Sequence, residues 1–227
     1  MFLTKIELDP SRRQARRYLG SPQVMHAVVL KAAGATASSG PGRVLWRADE
    51  TSSTTSLYLL TPSRPDCSQI LDEAAHIGTQ ARTLDYEPFL SKLTEHQVWA
   101  FRLAANPSRA ISQGIGVRGK RQGHVTVEQQ REWLLSRAVA HGFLVLPVNG
   151  AAQSVGSSLT VVRRARPVFG RSNPEQGGRD RVTINRTVFE GLLQVTDPDL
   201  LRTALISGIG RSKAYGCGLM TLARVRQ

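Results

Sequence analysis

Residues 181–225, RVTINRTVFEGLLQVTDPDLLRTALISGIGRSKAYGCGLMTLARV, decide the fold. The Val-, Leu- and Phe-rich run predicts a strand over 181–195. Asp197 followed by Pro198 reads as an N-cap and a first-turn proline, opening a helix over 197–207. A glycine-rich stretch then turns the chain, and a last strand is expected over 216–225. Working outward, the preceding residues add a strand at 96–105, a helix at 126–141 with Thr126 and Gln129 as a capping box, and a strand at 158–169. The order is βαββαβ. The first half repeats it: strand 2–8, helical stretches 11–19 and 22–33, strands 43–48 and 56–61, helix 66–77 and a weak strand at 81–86. The order of elements repeats without any sequence repeat. The expected class is α+β, two tandem ferredoxin-like (RRM-like) βαββαβ domains, placed at 1–90 and 95–227.

The charge is unequally shared between these halves. The chain of 227 residues holds 30 Lys plus Arg against 17 Asp plus Glu. Residues 1–94 are nearly balanced, at net +2, while residues 95–227 carry net +11. Such a field draws polyanions, because binding phosphates releases counterions. With 41% hydrophobic residues there is material for real cores, which excludes general disorder. No window approaches 18 consecutive apolar residues, so no membrane span is expected. The opening MFLTKIELDPSRR alternates apolar and polar residues and argues against a secretory leader. Cys67 and Cys217 lie far apart with no CxxC or Cys/His cluster, so neither a metal site nor a disulfide framework is indicated. A cytoplasmic protein fits.

Several segments are candidates for contact with a polyanion. Arg163, Arg164, Arg166, Arg171, Arg179, Arg181 and Arg186 line an expected hairpin with its tip at 170–180, a density that solubility explains poorly. Arg12, Arg13, Arg16 and Arg17 fall on one face of the helix at 11–19, as a phosphate-contacting or simply solvated face. Residues 106–124 are rich in Gly and basic residues without an apolar period and read as a long loop. The stretch SGIGRSKAYGCG, 207–218, offers Gly208, Gly210, Arg211 and Lys213 either as a phosphate cradle or as a tight turn. It matches neither the Walker A spacing nor GxGxxG, so nucleotide-cofactor enzymes lose their usual signature and no cofactor is expected. His26 borders the helical stripe Met25, Val28, Val29, Ala32, where a lone histidine is usually structural and less often catalytic.

The opening FLTKIELDPSRRQARRYLGSPQVMHAVVLKA, taken with SGIGRSKAYGCGLMTL near the C-terminus, resembles the CasE (Cse3) family, the CRISPR RNA endoribonuclease subunit of the type I-E Cascade complex. The resemblance covers essentially the whole chain. It implies two ferredoxin-like domains, metal-free cleavage of the repeat hairpin in CRISPR precursor RNA, retention on the 3′ hairpin of the mature crRNA, and assembly with other Cascade subunits. It aligns the family's catalytic histidine with His26 and an assisting lysine with Lys31. Where many members have Tyr, three residues before the histidine, this chain has Gln23. An amide hydrogen-bonds but does not exchange a proton as a phenol does, so slow cleavage is one consequence.

The chemistry is consistent with that implication. RNA carries its own nucleophile, the 2′-OH, so the protein need only remove its proton, align it and stabilise the phosphorane. Imidazole titrates near neutrality and suits the proton transfer, while Lys31 would stabilise charge. On an ideal helix the two side chains lie about 140° apart, so the scheme requires the helix to bend or end between them. The rival readings are a non-catalytic hairpin-binding subunit of the same assembly, and a basic DNA-binding regulator, for which there is no helix-turn-helix pattern.

Overall fold

The computed structural model describes residues 1–34, 43–51, 54–112, 114, 119–147, 158–173 and 178–225, with backbone only at 120, 171–173 and 178–180. The first half forms β1 (Phe2–Leu8), α1 (Arg13–Gly20), α2 (Pro22–Ala33), β2 (Leu45–Glu50), β3 (Thr55–Thr61), α3 (Ser68–Ala74), β4 (Arg82–Asp85) and a single turn α4 (Glu87–Leu90). Its sheet is antiparallel in the order β2-β3-β1-β4, the ferredoxin-like arrangement. Period-2 alternation gives this sheet two apolar faces. Ile6, Leu8, Trp46, Leu57 and Leu59 face the helices, and Leu45 and Leu60 join the core of the second half.

The second half runs β5 (Val98–Ala105), β6 (Ser108–Ile111), β7 (Lys120–Gly123), α5 (Val127–Ala138), β8 (Phe143–Val145), β9 (Thr160–Ala165), β10 (Val168–Asn173), β11 (Gly178–Thr183), β12 (Arg186–Val195), α6 (Pro198–Ser207) and β13 (Met220–Ala223). The sheet order is β13-β5-β12-β8, with β9 also paired to β12. Strands β8 and β9 succeed each other along one edge of β12, so together they fill the place of a single ferredoxin-like strand. Ser158 joins them: its hydroxyl accepts from Leu192 N at 2.9 Å and its amide donates to Leu146 O at 2.7 Å.

The expected caps are present. Asp197 accepts from the amides of Asp199 and Leu200 to open α6, and Thr126 and Gln129 form the capping box of α5. Three expectations are corrected. The stretch 106–124 contains the hairpin β6–β7, which lacks an apolar period because β6 lies largely exposed. The expected strand 158–169 ends at Ala165, because Pro167 lacks an N–H for the ladder, and β10 begins a separate ribbon with β11. The expected strand 181–195 breaks likewise at Ile184–Asn185, where the ribbon rejoins the sheet; Asn185 N donates to Asn106 Oδ1 at 3.2 Å. Strand β8 and α4, too short to carry a period, are the elements that sequence reading passes over.

Candidate active site and basic groove

The position of His26 follows from how α2 is set. Ser21 caps the helix by accepting from Val24 N at 3.4 Å, Pro22 sits in the first turn, and Gly34 at φ 78° stops it. Met25, Val29, Ala32 and Ala33 are buried in the N-terminal core. This leaves His26 half-buried on the side that meets the glycine-rich loop of the second half. There its ring approaches that of Tyr215, with centroids 6.4 Å apart and planes at 63°. Its Nδ1 is buried without a hydrogen-bond partner among the described residues. Burial, and then the charge of Arg43, hold the imidazole below its usual pKa, so the neutral form prevails near pH 7.

The loop that presents Tyr215 is tightly held. Residues Lys213–Tyr215 form one 3₁₀ turn, entered through Ser212 at φ 62°, a left-handed conformation uncommon outside glycine. Asn106 Nδ2 donates to Ser212 Oγ at 2.8 Å, Trp46 Nε1 to Ala214 O at 3.2 Å, and Arg186 Nη2 to Tyr215 O at 2.8 Å. Gly216, at φ 75°, lies so close to Trp46 that a Cβ would stand 2.7 Å from the indole. Lys213 donates to Ser207 O at 2.6 Å, and burial, then Arg43, lower its pKa. Phe169 on β10 closes the row with its ring 4.7 Å from Tyr215.

Beside Tyr215 opens a cavity of about 630 Å³, with Arg121, Arg166 and Arg211 in its wall. A second, of about 300 Å³, shares Arg166 and Asn185 with it and adds Arg164 and Arg186. Among the described residues no carboxylate lines either. A concave, arginine-lined surface without acidic side chains is electrostatically suited to successive phosphates. Among the described residues no three His, Cys, Asp or Glu side chains cluster as a metal-ligand set.

A model of the family described as "CRISPR associated protein" matches residues 1–224. The chain is 32% identical to the CRISPR-associated endoribonuclease Cse3 of Thermus thermophilus, over 98% of this chain and all of the relative. It is 25% identical to the Cascade subunit CasE of Escherichia coli, over 74% of this chain and 88% of that one. A solved structure of Cse3 bound to a 19-nucleotide RNA superposes with a TM-score of 0.80 at 29% identity, covering 98% of this chain and all of that one. The chain belongs to the CasE (Cse3) family.

Within this CasE-family chain the residues singled out from sequence separate into groups. His26 meets the glycine-rich loop at Tyr215, and Lys213 stands in the same loop with its ammonium bonded to Ser207 O. Lys31 does not join them: α2 runs unbroken from Pro22 to Ala33, and Lys31 is exposed on its other flank. Its charge reaches Asp66 and Glu73, whose carboxyls are held low first by hydrogen bonds from Ser68 and Tyr18 and in lesser part by Lys31. Gln23 is exposed one turn before His26.

Several arginines have protein partners. Arg12 donates to Ala75 O and Asp72 O at the end of α3, Arg16 to Pro10 O and Ser11 O, Arg163 to Glu50 at 2.8 Å, and Arg164 to Val125 O. Arg13, Arg17, Arg166, Arg181 and Arg211 are exposed without hydrogen-bond or ion-pair partners among the described residues. The side chains of Arg171 and Arg179 lie outside what is described. Gly208 and Gly210 pack against Leu45 and Trp133, and the Gly208 amide donates to Ala204 O.

Sequence reading missed Tyr215, Arg43 and Arg121. Tyr215 sits within the glycine-rich stretch itself, and the aromatic between Lys213 and Gly216 was the available signal. Arg121 lies in the basic stretch 106–124, and Arg43 carries no signal, since only tertiary contact brings it to the site.

Proposed function

We propose that this chain is a metal-independent endoribonuclease that cuts CRISPR precursor RNA at the repeat hairpin and stays on the 3′ hairpin of the crRNA within Cascade, in the cytoplasm. The observation that carries the reading is a neutral, half-buried His26 where α2 meets the glycine-rich loop, with an arginine groove, free of carboxylates among the described residues, opening on the other side of Tyr215. The two halves divide the work as residues 1–90, which hold His26, and residues 95–227, which hold the groove and the ribbon β10–β11. Double-stranded RNA hides its base edges in a deep groove, so phosphates and shape are the features such a surface reads.

In the reaction His26 takes the proton of the 2′-OH, which attacks the adjoining phosphorus as the P–O5′ bond breaks. The 5′-oxygen takes a proton from water as it leaves, the imidazolium gives its own back to solvent, and the products are a 2′,3′-cyclic phosphate and a 5′-hydroxyl. Arg43 and Lys213, whose charges reach one another and, from Arg43, reach His26, are the cations placed to stabilise the phosphorane. The family resemblance offers Lys31 for the same role.

The test is cleavage of a labelled repeat hairpin in EDTA, beside the same RNA with a single 2′-deoxy nucleotide 5′ of the cut. Cutting of the first and only binding of the second is expected. Cleavage of the deoxy RNA, or activity lost in EDTA and restored by magnesium, would mean that an activated water does the work. The exposed Gln23 amide, unable to relay a proton, favours a second reading as a non-catalytic hairpin-binding subunit. Binding without any cleavage of either RNA would establish it.

A further inference from the structure

The cavity beside Tyr215 has more structure than a phosphate track requires. Its three arginines come from three separate elements: Arg121 from β7, Arg166 from the β9–β10 turn and Arg211 from the glycine-rich loop. All three are exposed and have no partner among the described residues. With no carboxylate among the described lining, their mutual repulsion is relieved only by an anion. The remaining wall is different in kind, with neutral hydrogen-bonding groups such as Ser108 and Thr183 and one aromatic ring, Tyr215. At about 630 Å³ the space falls within the roughly 300–1,000 Å³ typical of ligand sites.

Tyr215 is also the ring that touches the imidazole. It stands in the row Phe169–Tyr215–His26, which links the basic ribbon to the candidate general base. Its backbone is fixed by Arg186 and by its own amide donating to Ser212 O at 2.9 Å, so the ring is presented without a conformational search. A nucleobase has an apolar face that stacks on such a ring whatever its sequence, and its phosphates need cations at the rim.

We infer that the cavity seats an unpaired nucleotide adjoining the scissile phosphate, its base stacked on Tyr215 and its phosphates held by Arg121, Arg166 and Arg211. Tyr215 thereby acts as a positioning residue: the stacked base fixes the sugar–phosphate bond against His26. The inference rests on the proposed RNA-cleaving function and names the subsite that sets where the cut falls. It also gives the β6–β7 hairpin a purpose, since Arg121 closes the far side of the seat.

The test uses the full chain and its own repeat hairpin RNA, made uncleavable by 2′-deoxy substitution at the nucleophile. Two versions carry 5-iodouridine, one on each side of the cut. Irradiation of the complex is expected to cross-link one version to Tyr215, mapped by mass spectrometry, and the cross-link should survive Tyr215→Phe and vanish in Tyr215→Leu. With cleavable RNA at saturating protein, Tyr215→Leu should lower the single-turnover rate at least tenfold while hairpin affinity changes less than about threefold, with Tyr215→Phe between it and wild type. With Tyr215 itself left intact, the exposed pair Arg121→Gln and Arg211→Gln should flatten the salt dependence of binding by about two units and weaken the cross-link. Cross-linking of bound RNA elsewhere from both positions, or equal rate loss in Tyr215→Phe and Tyr215→Leu, would overturn the seat. Failure of the wild-type protein to bind the hairpin would instead overturn the RNA-cleaving function beneath it.

Discussion

At the scale of single residues the chemistry turns on the protonation of His26. Burial and the Arg43 charge both disfavour the imidazolium, so the folded pKa lies below the ordinary histidine value of 6.5. A general base must be neutral, and activity is therefore lost as pH falls through that lowered value. The acidic limb of the single-turnover rate is expected below pH 6.5, and Arg43→Gln, which removes one of the two causes, should move it upward. A wild-type limb at or above that value, followed by pH-jump cleavage, would contradict the assignment. His26→Ala should abolish cutting while hairpin affinity, measured by filter binding, changes by less than about tenfold, since proton transfer and phosphate contact are separable. His26 was legible as a candidate through the family resemblance, since an imidazole at the edge of an apolar helical stripe is by itself usually structural. Its partner was not legible, because Tyr215 lies 189 positions further along the chain and only the packing of the loop on α2 joins them.

At the scale of elements, the glycine-rich loop and the arginine ribbon divide placing from binding. Gly216→Ala would force a Cβ to 2.7 Å from the Trp46 ring at a positive φ. The left-handed conformation costs about 1–2 kcal/mol and overpacking about 1–3 kcal/mol. Urea denaturation should therefore show a loss of about 2–5 kcal/mol, with cleavage reduced as Tyr215 shifts; a loss under about 0.5 kcal/mol would show that the loop yields freely. On the ribbon and the turn that leads into it, reversal to Glu of Arg181 and Arg166, which have no partner among the described residues, should flatten the salt slope of hairpin binding by about one unit per lost phosphate contact. Arg64→Glu with Arg82→Glu, in the nearly neutral half, should leave it unchanged, and equal effects would remove the ribbon from the binding surface. The helices of the second half were legible from Asp197–Pro198 and from Thr126 with Gln129, which are local signals. The ribbon was half-legible: its arginine density could be seen, but its departure from the sheet at Pro167 and Asn185 depends on pairing between strands, which no local period records.

At the scale of the whole molecule the two halves are joined by a buried cation that the sequence disguises. In LWRADE, residues 45–50, Arg47 falls within the strand expected over 43–48, with nothing local to mark it as buried. The structure buries it to 1% exposure, because the second sheet covers that face. All five of its N–H groups are used. Nε and Nη2 donate to the Asp49 carboxylate at 2.8 Å each, and Nη2 also to Thr221 Oγ1 at 2.9 Å. Nη1 donates to Arg102 O at 2.8 Å and Leu219 O at 3.0 Å, so a side chain of β2 satisfies the backbone of β5 and of the segment leading into β13. Removing it as Arg47→Ala leaves Asp49 buried beside Arg102, at 3.3 Å, and takes a donor from each of two carbonyls. Breaking a buried pair from one side typically costs about 3–5 kcal/mol, whereas replacing both partners by apolar groups is often neutral. Arg47→Ala is therefore expected to lose about 3–5 kcal/mol by denaturant titration, and Arg47→Met with Asp49→Leu to recover most of it. Because the core containing Leu45, Leu60, Phe101 and Leu219 spans both halves, wild-type unfolding should be one calorimetric transition, and Arg47→Ala should broaden or split it. A single mutant within about 1 kcal/mol of wild type would assign the junction to that shared apolar core alone, and the geometry that holds Tyr215 against His26 would then rest on packing instead of on Arg47.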